Sequence, residues 1–144
     1  MASRDLHHNI SALRSISPVA VGTTGTGQTG KIIDTAGYQG VEIILDYGTV
    51  TATNATIVPN IKEGAVTGTM TSVADADLLG LEANAGIAAA ATRTSGVSKN
   101  VTKRIGYIGS KRYIQVNVKS TVTAGPPVAA TVILSRPINA PLAT

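Results

Sequence analysis

The 144-residue chain contains no cysteine, no tryptophan and no phenylalanine, and four tyrosines supply its 3% aromatic content. Without cysteine it can form no disulfide framework, thiolate nucleophile or cysteine-ligated metal centre. Its two histidines, His7 and His8, are adjacent near the N-terminus, so acid–base catalysis by histidine has no candidate elsewhere. We therefore expect an aliphatic core of Val, Ile, Leu and Ala, and no catalytic residue, cofactor site or metal site.

Charge is also sparse: Asp, Glu, Lys and Arg make up 14% of the residues, and the net charge is +4. Soluble domains usually contain about 25% charged residues. This shortage favours a chain that neighbouring subunits partly cover, although a threonine-coated monomer also fits. No apolar run approaches the roughly 20 residues of a membrane span, and the N-terminal residues lack the apolar stretch of a secretory signal. We expect a soluble protein, made in the cytoplasm, that has no membrane partner.

The sequence is typical of an all-β protein from Ser17 onward, because short runs of Val, Ile and Thr alternate with Gly, Asn and Pro. We predict one antiparallel β-sandwich or jelly-roll-like barrel over residues 17–135. An extended N-terminal arm is predicted at 1–16 and an extended C-terminal tail at 136–144. The clearest strand covers 41–47, where alternation places on one buried face Val41, Ile43, Leu45 and Tyr47.

Residues 101–119 contain two alternating runs that flank Gly109-Ser110, a pair suited to a two-residue turn. We predict a β-hairpin here, with Ile108 opposite Lys111. This register would place on one side Val101, Ile105, Tyr107, Ile114, Val116 and Val118. Six of the twelve basic residues lie in this segment and its approaches.

Two motifs suggest small ligands but lack the required context. Residues 25–31 match the GxxxxGK pattern of phosphate-binding loops. However, Ile32 replaces the Ser or Thr that ligates magnesium, and the turn signal at Gly37 leaves no room for the required helix. Asp75 and Asp77 lack the spacing of a calcium-binding loop. We interpret the first segment as a flexible or hairpin loop and the second as a solvated acidic loop.

Most of the chain resembles the small head proteins of tailed bacteriophages, namely the capsid decoration or cement proteins. The resemblance rests on the N-terminal arm, the phrases AGYQGVEIILDYG and KRIGYIGSKRYIQVNV, the KEG turn at 62–64 and the proline-bearing tail. It implies a β-sandwich or jelly-roll-like module, commonly trimeric, that sits on the outer capsid lattice and clamps neighbouring major capsid subunits without any active site. A head-to-tail connector or tail component is the alternative. A secreted adhesin or carbohydrate-binding module is disfavoured by the missing signal and tryptophan.

We expect partner contacts at the arm, the acidic loop and the basic hairpin, because arms and long loops commonly make contacts between subunits. The basic cluster suits an acidic protein surface or solvation. Nucleic acid is disfavoured because Tyr107 and Tyr113 are the only aromatic residues available there for stacking. The predicted contact residues, toward the major capsid protein or other copies of the chain, are Arg4, His7, His8, Arg14, Asp75, Asp77, Lys103, Arg104, Lys111 and Arg112.

Overall fold

The computed structural model describes residues 6–21, 27–49, 56–80, 91–92, 100–120 and 127–139. Apart from short 3-10 turns at His7–Asn9 and Asp75–Asp77, their regular structure is extended. The strands are β1 (Ile10–Ala20), β2 (Gln28–Asp34), β3 (Tyr38–Tyr47), β4 (Thr56–Val66), β5 (Thr69–Ser72), β6 (Leu78–Leu79), β7 (Ala91–Thr92), β8 (Val101–Tyr107), β9 (Tyr113–Ser120) and β10 (Pro127–Pro137). None of the described helical turns is long and apolar enough to cross a membrane.

The strands form two sheets that pack face to face. The front sheet has the order β1-β10-β3-β8-β6, and the back sheet has the order β2-β9-β4-β5, with β7 also paired to β4. Every pairing among the described strands is antiparallel. The predicted all-β antiparallel sandwich is therefore confirmed.

The core lies between the sheets and is almost entirely aliphatic. Side chains of a strand point alternately to its two faces, and β9 and β10 bury every second residue accordingly. In β3, Ile43, Leu45 and Tyr47 are buried, and Val41 packs against the core at partial burial. The predicted inward face of this strand is thus confirmed.

The predicted hairpin at 101–119 is wrong. β8 pairs with β3 and β6 in the front sheet, whereas β9 pairs with β2 and β4 in the back sheet. Residues 108–112, called here the crossing connection, therefore carry the chain from one sheet to the other. The predicted inward-facing residues do face the core, because alternation determines which face of a strand is buried but does not choose its partner strand.

The predicted N-terminal arm is wrong over its second half, because residues 10–16 belong to β1. This strand pairs with β10, and both Ser15 and Ile16 are buried. Two register shifts, one on each side of Ile16, interrupt the period-two pattern that would have identified the strand. The C-terminal tail is also shorter than predicted, because β10 continues to Pro137; residues 1–5 and 140–144 lie outside the described part.

Candidate interaction surface

One end of the sandwich, called here the Arg112 end, gathers segments that are far apart in sequence. The crossing connection lies beside the ends of β2 and β4, because Tyr113 pairs with both Asp34 and Gly64. The start of β3 and the end of β10 lie there too, because Tyr38 pairs with Pro137. The Arg112 end is made of residues 6–9, 34–38, 64–69, 75–79, 108–112 and 136–139.

Tyr107 links the two sheets inside this end. Its hydroxyl, on the last residue of β8, donates to Oε2 of Glu63 in β4 at 2.6 Å, and both residues are buried. The same hydroxyl oxygen accepts a hydrogen bond from the Lys111 backbone N–H at 3.1 Å. Burial, and then the hydrogen bond to Glu63, raises the pKa of Tyr107 above its ordinary value. The hydroxyl therefore stays protonated and can keep donating to the carboxylate.

Arg112 and Asp34 hold the outer side of the crossing connection. Nε and Nη2 of Arg112 donate to the two carboxylate oxygens of Asp34 at 2.9 and 2.7 Å, which is a bidentate pair. The backbone N–H and hydroxyl of Thr35 donate to the Arg112 carbonyl oxygen at 2.9 and 2.7 Å. The guanidinium carbon also lies 5.1 Å from the ring centroid of Tyr113, within cation–π range. The Arg112 side chain is thus engaged within the chain and fixes the connection.

The titration of Asp34 tests this bidentate pair. The hydrogen bond from Arg112, followed by that from the Ala36 N–H, holds the pKa of Asp34 below its ordinary value of 3.8. We expect Arg112→Gln to raise the Asp34 midpoint toward that value in an acid titration followed by carboxyl carbon NMR. A lowered folded-state pKa stabilises the fold above about pH 4, and this contribution is lost as the pH falls through the folded pKa.

The stability difference between wild type and Arg112→Gln should therefore shrink on acidification below about pH 4. The difference should be small even at neutral pH, because the two side chains are 56% and 44% exposed and solvent screens the pair. Equal Asp34 midpoints in the two proteins would contradict the assigned role of Arg112.

Exposed apolar side chains cluster at the Arg112 end. Of the six large apolar residues that are exposed in the described part, five lie there and are 53–67% exposed: Leu6, Val66, Leu79, Ile108 and Ile138. The backbone beneath two of them is fixed, because Ile108 donates to the Asp77 carbonyl at 2.9 Å and Ile138 donates to the Gly37 carbonyl at 2.8 Å. Exposed apolar groups on a rigid surface are typical of a protein-binding site.

The structure brings six of the predicted contact residues to this end and separates the others from it. Lys103 is partly buried and pairs with the inward-facing Leu45 of β3. Arg104 lies on the outer face of the front sheet, where its Nη1 is 3.4 Å from Oε1 of Glu42. Arg14 is exposed on β1, and Arg4 lies outside the described residues. The six at the Arg112 end are His7, His8, Asp75, Asp77, Lys111 and Arg112.

The exposed apolar residues were missed at the sequence level, although two of them had a detectable signal. Ile108 directly precedes Gly109-Ser110, and Ile138 directly follows Pro137. An apolar side chain beside a turn residue is expected to be solvent-exposed, because turns run over the surface. The predictions rest on charge instead, and so identify the charged residues of this end and not its exposed apolar residues.

The Arg112 end carries exposed charged side chains as well as apolar ones. Within the described residues, no three His, Asp or Glu side chains are placed to hold a metal ion. Exposed charged side chains, namely Lys111, Arg136 and Asp75, lie at the same end as the exposed apolar side chains. Protein–protein interfaces usually combine apolar and charged side chains in this way.

Comparison with known proteins identifies the fold. No protein-family profile matches the sequence, and no relative was found among curated protein sequences. Among solved structures, the chain is similar to the SPBc2 prophage-derived protein YomS, with a TM-score of 0.54 and 12% sequence identity. The match covers 89% of this chain and 94% of that one. At this identity the similarity shows a shared fold.

Proposed function

We propose that the protein is a structural component of a bacteriophage particle that binds the outer surface of the capsid and stabilises contacts between neighbouring major capsid subunits. The observation that carries this proposal is the similarity of its fold, over 89% of its length, to a prophage-derived protein. The sequence resemblance to small phage head proteins supports the same class. In this proposal the protein is not an enzyme, takes no cofactor and belongs to the virion surface.

We assign the capsid contact to the Arg112 end. Burying one exposed Leu or Ile side chain contributes roughly 1.5–3 kcal/mol, and several such side chains are available there. The Tyr107–Glu63 and Arg112–Asp34 contacts hold this surface in shape before it binds. Less conformational entropy is then lost on binding, which increases the affinity for a given buried area.

The stabilising mechanism is mass action. A protein that binds the assembled lattice and not the free subunits stabilises the lattice by its binding free energy. Association of three copies would present three Arg112 ends together and increase the overall avidity. The charged fraction of only 14% favours such subunit contacts, and we include a homotrimer in the proposal.

A head-to-tail connector or tail component is the second candidate, because the same fold similarity supports it. The two assignments differ in copy number. A cement protein should be present in purified particles in numbers comparable with the major capsid protein, whereas a connector forms a single ring. Quantitative mass spectrometry of intact particles distinguishes between them.

The proposal predicts that the protein cosediments with expanded capsids of its own phage and raises their disassembly temperature. Ile108→Asp and Ile138→Asp should each weaken binding by about tenfold to a hundredfold, because each removes apolar burial and adds a charge that must be desolvated. Ser17→Asp adds the same charge at an exposed position of β1, away from the Arg112 end, and should leave binding unchanged.

Two outcomes would count against the proposal in different ways. If the folded wild-type protein did not bind the capsids, the proposed function would be wrong. If the wild type and all three variants bound equally well, the function would stand and the assigned surface would be wrong.

A further inference from the structure

A groove lies on the outer face of the back sheet, between β4 and β9. Its volume is about 210 Å³, and its lining consists of Val58, Asn60, Lys62, Asn117 and Lys119. These side chains share a face because Asn60 pairs with Asn117 and Val58 pairs with Lys119. Asn60 is four residues from Gly64 along β4, about 13 Å from the Arg112 end. The groove can therefore stay accessible while that end contacts a partner.

The amide side chains of this face leave oxygen atoms without a hydrogen-bond partner among the described residues. Nδ2 of Asn60 donates to Oγ of Ser72 at 3.1 Å, and Nε2 of Gln115 donates to the Gly30 carbonyl at 2.9 Å. The amide oxygens of both residues remain available as acceptors. Oδ1 of Asn117 is buried and has no hydrogen-bond partner in the described part of the chain. Such an atom is costly to bury without a partner. Because the Asn117 side chain lines the groove, a turn of its amide would bring the oxygen to a ligand that has hydrogen-bond donors.

Lys62 and Lys119 place a positive charge near each end of the groove. Lys119 lies opposite Val58, which is four residues from Lys62, so the two lysines are separated by roughly 13 Å along the strands. Neither lysine forms an ion pair with a described carboxylate. The groove thus combines hydrogen-bond acceptors at its centre with unneutralised cations at both ends.

We propose that this groove binds an acidic, hydroxyl-rich glycan. The ligand must donate hydrogen bonds to the amide oxygens and also bring negative charge to the lysines. A neutral sugar lacks the charge. An extended acidic peptide carries one backbone N–H per residue, directed alternately to its two edges, so few donors meet the groove. A chain of uronic acid units offers hydroxyl donors and a carboxylate on every unit. The inference does not depend on the proposed capsid function.

The test titrates the full chain with three hexameric probes by calorimetry: hexagalacturonic acid, neutral maltohexaose and a hexaglutamate peptide. We expect hexagalacturonic acid to bind, hexaglutamate to bind at least about tenfold more weakly, and maltohexaose not to bind. Amide NMR shifts on binding should cluster in β4 and β9. Absence of hexagalacturonic acid binding, or equally strong binding of hexaglutamate, would overturn the proposal.

Matched variants localise the site. Lys62→Gln and Lys119→Gln should each weaken hexagalacturonic acid binding by about threefold to tenfold, whereas Lys111→Gln removes the same charge at the Arg112 end and should have no effect.

Asn117→Leu should weaken binding at least about fivefold and raise the melting temperature by roughly 3–5 °C, because it removes a buried atom that lacks a partner. If Asn117 served only to stabilise the fold, its replacement would not weaken ligand binding while raising the melting temperature. Unchanged affinity, or a lowered melting temperature, would overturn its assignment.

Discussion

Replacing Tyr107 with phenylalanine is expected to lower the free energy of unfolding by about 2–4 kcal/mol. The substitution keeps the buried ring but removes the hydroxyl that donates to Glu63 at 2.6 Å. Glu63 is only 9% exposed, so its carboxylate would lose a hydrogen bond that water cannot easily replace. The Lys111 N–H loses its acceptor as well. Urea denaturation of the two proteins at neutral pH measures the difference.

Tyr113→Phe is the matched control, because Tyr113 is the next tyrosine along the chain and is only partly buried. This variant should change stability by less than about 0.5 kcal/mol, and it keeps the ring face that lies beside Arg112. The double variant Glu63→Leu/Tyr107→Phe should be less destabilised than Tyr107→Phe alone, since removing both partners leaves no buried carboxylate unpaired. A Tyr107→Phe variant as stable as Tyr113→Phe would show that the cross-sheet contact contributes nothing.

The fold class could be predicted from the sequence because the burial pattern of a strand is local. Each side chain points to the face opposite that of its neighbour, so a run such as 41–47 reveals its buried face without knowledge of its partners. The same reasoning gave the correct inward side chains for both β8 and β9. Where register shifts interrupt the alternation, as on either side of Ile16, the local pattern disappears, and the sequence predicts an arm where the structure has β1.

Strand pairing could not be predicted in the same way, because it depends on contacts distant in sequence. Gly109-Ser110 suits a tight hairpin turn, yet the Ile108 N–H donates to Asp77 and not to the facing strand. Glycine is required at position 109 for a different reason, because a Cβ atom there would lie 2.5 Å from the Tyr107 ring. The glycine leaves room for the ring that links the sheets. A turn residue and a residue that relieves crowding look identical in one sequence.

The Arg112 end was only partly predictable for a similar reason. Its charged residues could be identified individually, but the pairing of Arg112 with Asp34 joins positions 78 residues apart. Before the fold is known, such an arginine cannot be distinguished from one that is free to bind a partner. The exposed apolar residues of this end are scattered singly along the chain, so no run in the sequence reveals that folding brings them to one end.

The GxxxxGK pattern illustrates how packing can produce a motif that suggests a ligand. Its last residues belong to β2, which begins at Gln28, and no helix follows them. Gly30 lies where β2 of the back sheet approaches β1 of the front sheet, and Ser15 Oγ donates to the Lys31 carbonyl at 3.3 Å. The glycine is required by this close approach of two edge strands. Lys31 is exposed beside it, so Lys31→Ala should have little effect on stability.

Gly30→Ala should therefore destabilise the fold by about 2–3 kcal/mol in urea denaturation, although alanine is normally favoured over glycine in a strand. The added Cβ would collide with Ser15 Oγ and lie 2.6 Å from the Val116 carbonyl oxygen. Adding Ser15→Ala should recover little, because the second obstacle is backbone. Gly68→Ala is the control, since nothing lies within 4 Å of its Cβ position, and it should be neutral or slightly stabilising. Equal effects at the two glycines would contradict the close packing of β1 and β2.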